Sequence, residues 1–426
     1  MTEAFLHYLW KFKLFNQLDI KTTEGEPLKV IHPGQHNTDA GPDFFNARLK
    51  IGTTQWAGNV EIHLESSDWH RHDHQHDKAY DNIILHVVYE DDEPVTGTNS
   101  LPIPTLELKG KFNKSSWKNY ESLIESDQWI PCEKKIQDVD SFTVYNWLDR
   151  LLAERLQQKT QAIVESLRFA NNSWEECFYR MLAKNFGFKL NALPFEMLAK
   201  SLPMSYLGKH KNNLVQVEAL QFGVAGMLEK DFKDEYPLQL QKEFRFLQKK
   251  FQLKPLEQHQ WKFLRLRPAN FPTLRLSQFA HLIHKSSHLF SQVIEGDSLK
   301  KVKAMFEVNA SSYWNTHYVF DKSSKTKGEK DLGDTAIDNI IINTIIPFLF
   351  AYGVQRASEP HKERALKWME QMKPESNAVI KKWQSLGLRS QHAGNAQALL
   401  QLKSVYCDKK NCLLCSIGNK LIQQVP

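Results

Sequence analysis

Glycine, proline and cysteine are all sparse in this chain of 426 residues, at 18, 17 and 5. So little glycine and proline excludes a collagen-like fibre or a low-complexity polymer. Five cysteines are too few for a disulfide-stapled miniprotein. Long apolar runs are missing as well: the longest, Ile340 to Val354, is interrupted by Asn343 and Pro347 and falls short of the ~18 residues a membrane span requires. The N-terminal MTEAFLHYLWKFKLF has Glu3 and lysines inside its apolar run and no small-residue cleavage site, which is not the pattern of a signal peptide. No P-loop, dinucleotide fingerprint, Gly-x-Ser-x-Gly elbow or fixed-period repeat occurs, so nothing supports an NTPase, a nicotinamide enzyme or an α/β-hydrolase. The expected location is the cytoplasm, with no membrane partner; protein partners are not indicated.

What is present is an ample core and a lopsided charge. Apolar residues make up 41% and charged residues 24%, a globular profile in which this length predicts two to three domains. Residues 1–131 hold 12 Lys and Arg against 20 Asp and Glu, whereas the remainder holds 43 against 29. Nine of the 17 histidines lie in the acidic front, which is therefore rich in the side chains that hold cations. The basic remainder suits an anionic polymer such as nucleic acid, or is simply a set of solvated helical faces.

The hydrophobic pattern predicts α+β architecture: a sheet domain over 1–131, a mainly α-helical domain over 132–403 and a cysteine-bearing tail over 404–426. Residues 4–14 place Phe5, Leu6, Leu9 and Trp10 on one helical face. Phe45, Ala47, Leu49 and Ile51 then alternate with polar residues, Gly52-Thr53 turns the chain, and Gln55 to Leu64 returns as a strand. Asn82–Tyr89 and Pro102–Leu108 are further strands. Helical spacing marks 141–168, 174–186, 214–230, 236–251, 275–290, 335–352, 360–372 and 376–386, with a Pro-broken connector over 265–275.

The most informative stretch is Pro33 to Trp69. Pro42-Asp43 opens one strand, and Glu61-Ile62-His63 lies 18 residues later in the next. Alternation sets Glu61 and His63 on one face, and the hairpin brings Asp43 near them. Two carboxylates and an imidazole can hold Mg²⁺ or Mn²⁺ and serve an attacking water. The same residues also suit a turn aspartate and alternating charges on a half-exposed strand. The Pro-Asp, spacer, Glu-x-His pattern resembles the PD-(D/E)XK, restriction-endonuclease-like nucleases. That resemblance implies Asp43 and Glu61 as metal ligands, with His63 where those nucleases carry lysine. Without that lysine, the site is either a working variant or a lost one. Over a longer span, GPDF, GNVEIH, SSDW, ILHVV, RPANFPTLRL and CLLCSIG together resemble an uncharacterised bacterial family known as a domain of unknown function.

Three other groups carry possible chemistry. His70, His72, His74 and His76 alternate, so an extended segment would present all four on one face, and His86 on the next strand could join them. The alternative is a solvated loop; if any bind, His70 and His76 are the preferred pair, with Trp69 and Tyr80 anchoring the loop. In the tail, Cys407-x4-Cys412-x2-Cys415 gathers three thiols, with Cys132 or Cys177 as a remote fourth, for Zn²⁺ or an iron–sulfur cluster. Some nucleases of the PD-(D/E)XK type carry a similar C-terminal trio plus one distant cysteine around a cluster, although theirs precedes the nuclease core. Finally, Arg265, Arg267 and Arg275 flank Trp261, Phe263 and Phe271, a mixture that suits single-stranded nucleic acid or, equally, a helix-capped core. The expected function is divalent-metal-dependent hydrolysis of nucleic-acid phosphodiesters. Alternatives are an inactive, nuclease-derived nucleic-acid- or protein-binding scaffold held by structural metal, and a His-ligated metallohydrolase of a small molecule.

Overall fold

In the computed structural model, which describes residues 1–286 and 288–424, the chain forms two compact units. One comprises Met1–Trp147 together with Leu402–Pro426, and the other Leu148–Gln401. These boundaries differ from the expected division at 131 and 403, because the C-terminal segment folds into the N-terminal unit rather than standing apart. The architecture is α+β: a mixed sheet in the first unit and helices in the second.

The N-terminal unit opens with α1 (Glu3–Phe12), which buries Phe5, Leu6, Leu9 and Trp10 as their spacing dictates. Burying each such side chain contributes about 1.5–3 kcal/mol. The strands are β1 (Leu28–His32), β2 (Gln35–His36), β3 (Phe44–Ile51), β4 (Thr54–Glu65), β5 (Ile83–Glu90) and β6 (Thr105–Glu107). Their order in the sheet is β1-β3-β4-β5-β6, with β2 also on β3. The β3–β4 hairpin turns at Gly52 as expected, with Ile51 opposite Thr54. One detail departs from simple alternation. Asn46 adopts a left-handed φ of 57° and the register shifts between Phe44 and Ala47. This bulge puts Phe44, not Phe45, in phase with Ala47, Leu49 and Ile51 toward the core.

β4 and β5 pair in parallel, with Glu61 opposite His86 and His63 opposite Val88. A parallel pair needs a crossover, and residues 66–82 supply it through α2 (Asp68–Arg71) and two short 3-10 turns. Trp69 and Tyr80 are buried at its two ends together with Val95 and Ile103. At Gly58 a Cβ would lie 2.4 Å from Ile84 and 2.7 Å from the Asn82 carbonyl, so only glycine permits this strand approach. The centre of β4 is covered on both sides, and Val60 to His63 are all buried. The half-exposed strand allowed for Glu61 and His63 is therefore not what forms. Below the sheet, α1 and α3 (Lys114–Ile124) share a core with Cys412, Leu413 and Ile422 of the C-terminal segment.

The helical unit contains the expected helices, including Trp174–Phe186 with the expected bounds and Glu235–Phe251 and Glu359–Gln371 with ends displaced by one residue. The helix expected over 275–290 begins earlier, at Pro272, and its first segment ends at Lys285; residue 287 lies outside the described residues. Phe188–Ser201 runs through Pro194, and Ala393–Gln401 is also helical; both are additional to the helices that the spacing marks. The apolar run interrupted in sequence by Asn343 and Pro347 is one helix, Asp334–Gln355, long and apolar enough by composition to cross a membrane, with 67% of its window buried inside the protein. A π-helical stretch, Ile341–Ile345, precedes Pro347 and relieves the clash that a proline ring meets in a regular α-helix.

Candidate metal centre

The site starts at the open end of the β3–β4 hairpin. The Asp43 N–H donates to Glu61 Oε2 at 3.1 Å, and the Ile62 N–H donates to Asp43 Oδ2 at 3.0 Å. Each carboxylate thus takes a backbone donor from the opposite strand, a reciprocal clasp that continues the ladder beyond Phe44 and Val60. His7 comes up from α1, with Nε2 3.2 Å from Asp43 Oδ2 and 3.6 Å from Glu3 Oε1. Glu3, His7 and Asp43 form one triad whose ligand atoms all lie within 4.8 Å of one another.

A second triad lies beyond Glu61. His63 from β4 meets His72 and His74 from the crossover, again within 4.8 Å. His63 Nε2 is 3.2 Å from His72 Nδ1, and His63 Nδ1 is 2.9 Å from His86 Nε2 on the neighbouring strand. Glu61 Oε1 faces this group at 3.5 Å from His74 Nε2 and 3.7 Å from His63 Nε2. The His74 ring is held by stacking on Tyr80 at 3.9 Å between centroids. Glu61 therefore stands between the triads, one oxygen in the clasp and the other toward the imidazoles.

Burial governs the electrostatics. Loss of hydration, and then the charge of Asp43, push the Glu61 carboxyl well above its ordinary range. Burial, reinforced by His86, His74 and His72, pushes His63 down to about 2. Burial likewise lowers His86 to about 3, and it lowers His74. Neutral imidazoles offer lone pairs to a cation. His86 Nδ1 is buried without a hydrogen-bond partner, and the buried His7 Nε2 and His74 Nε2 face carboxylate oxygens of Asp43 and Glu61, outside hydrogen-bond geometry. Unpartnered buried nitrogens are rare in folded proteins, and a bound ion or water commonly satisfies them. The donor set of four imidazoles and three carboxylates in and between the triads suits zinc, manganese or iron better than magnesium, which prefers oxygen.

Residues 3–378 match the model of a family described as "Protein of unknown function (DUF2851)". The chain belongs to this family. No curated protein and no solved structure matches it. The span matched to DUF2851 includes every residue of both triads and ends before the cysteine trio of the tail.

Within this DUF2851 chain, the expected group of Asp43, Glu61 and His63 is divided: Asp43 falls in one triad, His63 in the other, and Glu61 between them. His63 faces His86 with Nδ1 and His72 with Nε2. The preferred pair His70 and His76 is a correction. The crossover is helical rather than extended, so His70 turns out toward Glu93 and His76 toward Asp73, while His72 and His74 turn in. His86 does join, behind His63. Glu3 and His7 escape the sequence reading altogether; their i,i+4 spacing opposite the apolar face of α1 is the available signal. In the helical unit Arg265 and Arg267 are exposed, but Arg275 is buried, donating to Asn270 Oδ1, Gln278 Oε1 and the Leu332 carbonyl. Its guanidinium is consumed inside the unit and does not face a nucleic acid. Cys177 is buried there too, its thiol 3.8 Å from the Ile163 carbonyl.

Proposed function

We propose that this chain is a hydrolase of nucleic-acid phosphodiesters that works with a two-ion centre, the ions being held by Glu3, His7 and Asp43 on one side and by His63, His72 and His74 on the other. The observation that carries the reading is the meeting of the two triads across Glu61, with imidazole nitrogens of His7 and His74 turned toward the carboxylates. Glu61 serves as the shared carboxylate. Two-ion centres of this type stabilise both the attacking and the leaving oxygen of an in-line displacement. Glu3, His7, Asp43 and His72 lie at the accessible side of the site, where a phosphate would approach. The acid pair at the mouth of a hairpin supports the resemblance to restriction-endonuclease-like nucleases, with an imidazole cluster in place of their lysine.

The imidazole-rich donor set favours a second reading, hydrolysis of a small molecule. One experiment separates the two. Full-length protein loaded with Zn²⁺, Mn²⁺ or Mg²⁺ is incubated with labelled single- and double-stranded DNA and RNA, and with a chromogenic phosphodiester. Cleavage of polymer is expected with Mn²⁺ or Zn²⁺. Glu61→Ala should reduce it by more than the ~10–100-fold typical of changes behind a metal ligand. Cleavage of the small diester alone would favour the second reading. No cleavage by folded, metal-loaded protein would leave a nuclease-derived scaffold without activity.

A further inference from the structure

Away from the histidine site, the C-terminal segment brings a second group of ligands together. Cys407 ends a π-helical turn over Leu402–Cys407, Cys412 begins a 3-10 turn over Cys412–Leu414, and Cys415 caps the terminal helix Ser416–Ile422. Cys132 approaches from the turn after Pro131. Cys132 packs against the same core as Cys412, each of the four thiols lies within electrostatic range of the other three, and none forms a disulfide. The fifth cysteine, Cys177, belongs to the helical unit and takes no part.

Burial raises the Cys415 thiol, offset in part by the backbone of Ile417 and Gly418 and by the Trp147 side chain. Lys403 and Lys410 add positive charge beside Cys407 and Cys412. Gly418 has no room for a side chain, since a Cβ would lie 2.3 Å from the Cys412 carbonyl oxygen. Burial, and then the neighbouring thiols, push Cys132 and Cys412 up to about 12.

The spacing of the sulfurs discriminates among cations. A single tetrahedral zinc with bonds near 2.3 Å draws its sulfurs to roughly 3.8 Å of one another. Among the described residues, the ligand atoms that meet within 4.8 Å are those of the two triads, and no three of these sulfurs do. A cluster, which spreads four thiolates over two or four irons, accommodates the wider spacing. We propose that Cys132, Cys407, Cys412 and Cys415 bind an iron–sulfur cluster that fastens the C-terminal segment to the N-terminal unit.

The test is metal analysis of the full chain purified without oxygen. About two or four irons per chain are expected, with matching acid-labile sulfide and a broad visible charge-transfer absorption. Cys132→Ser and Cys412→Ser should each lose iron, sulfide and colour, whereas Cys177→Ser keeps all three. The wild-type protein decides the matter even if a variant fails to fold: about one zinc without sulfide, or folded protein with no metal at the thiols, overturns the proposal. Ions at the histidine triads bring no labile sulfide and persist in Cys132→Ser, so this result stands apart from the hydrolase reading.

Discussion

His86 shows how much a single buried side chain can direct. It is fully enclosed, touches His63 through Nε2 at 2.9 Å, and leaves Nδ1 without a partner. In the proposed metal centre His63 would give Nε2 to the ion, and its Nδ1–H would then donate to His86, fixing the tautomer and the ring plane. His86→Phe keeps the bulk and the tilted ring contact with Trp69 but removes the acceptor. The expected result is a loss of metal affinity of about 10–100-fold with the fold intact, read by isothermal titration with Zn²⁺ or Mn²⁺. Unchanged affinity would reduce His86 to a packing residue. The sequence offers His86 as a possible member of the histidine group, but its place behind His63 arises from lateral pairing of β5 with β4.

At the scale of elements, the hairpin and the crossover divide the work. The β3–β4 hairpin is legible from alternation and the Gly52 turn; the bulge at Asn46 is not, since Asn46 occupies a position that alternation leaves simply polar. That bulge sets the phase of Phe44 and hence of the adjoining Asp43. Replacing Asn46 with valine forces a β-branched residue into φ 57° and should cost about 1–3 kcal/mol. Asn46→Gly should be tolerated, as glycine adopts this backbone freely. Denaturant midpoints of the two variants compare directly, and equal midpoints would remove the strain argument. The crossover misleads for the opposite reason. Alternating histidines suggest an extended run, but Asp68–Arg71 forms a helical turn, and curling the segment turns His72 and His74 inward.

For the whole molecule, the N-terminal unit depends on a segment more than 250 residues downstream in sequence. Cys412, Ile417, Leu421 and Ile422 are buried, and the Asn119 side chain donates to the backbone carbonyls of Ile422 and Gln424. Removing three buried Leu or Ile side chains costs about 2–5 kcal/mol apiece by truncation precedent, a total comparable to the ~5–15 kcal/mol margin of an ordinary domain. Deleting 402–426 should therefore expose residues 28–107 to limited proteolysis while 148–401 stays protected. Protection of 28–107 in the truncated chain would contradict this dependence. The local order of strands and helices, the acidic front and the cysteine trio are all readable along the chain, because they rest on near neighbours and on composition. Which of these side chains meet was decided by tertiary structure. Parallel pairing of β4 with β5 sets His63 beside His86, packing of α1 brings Glu3 and His7 to Asp43, and return of the C-terminus brings three cysteines to Cys132. These are contacts between distant segments, chosen by the burial of apolar faces, and no local spacing encodes them.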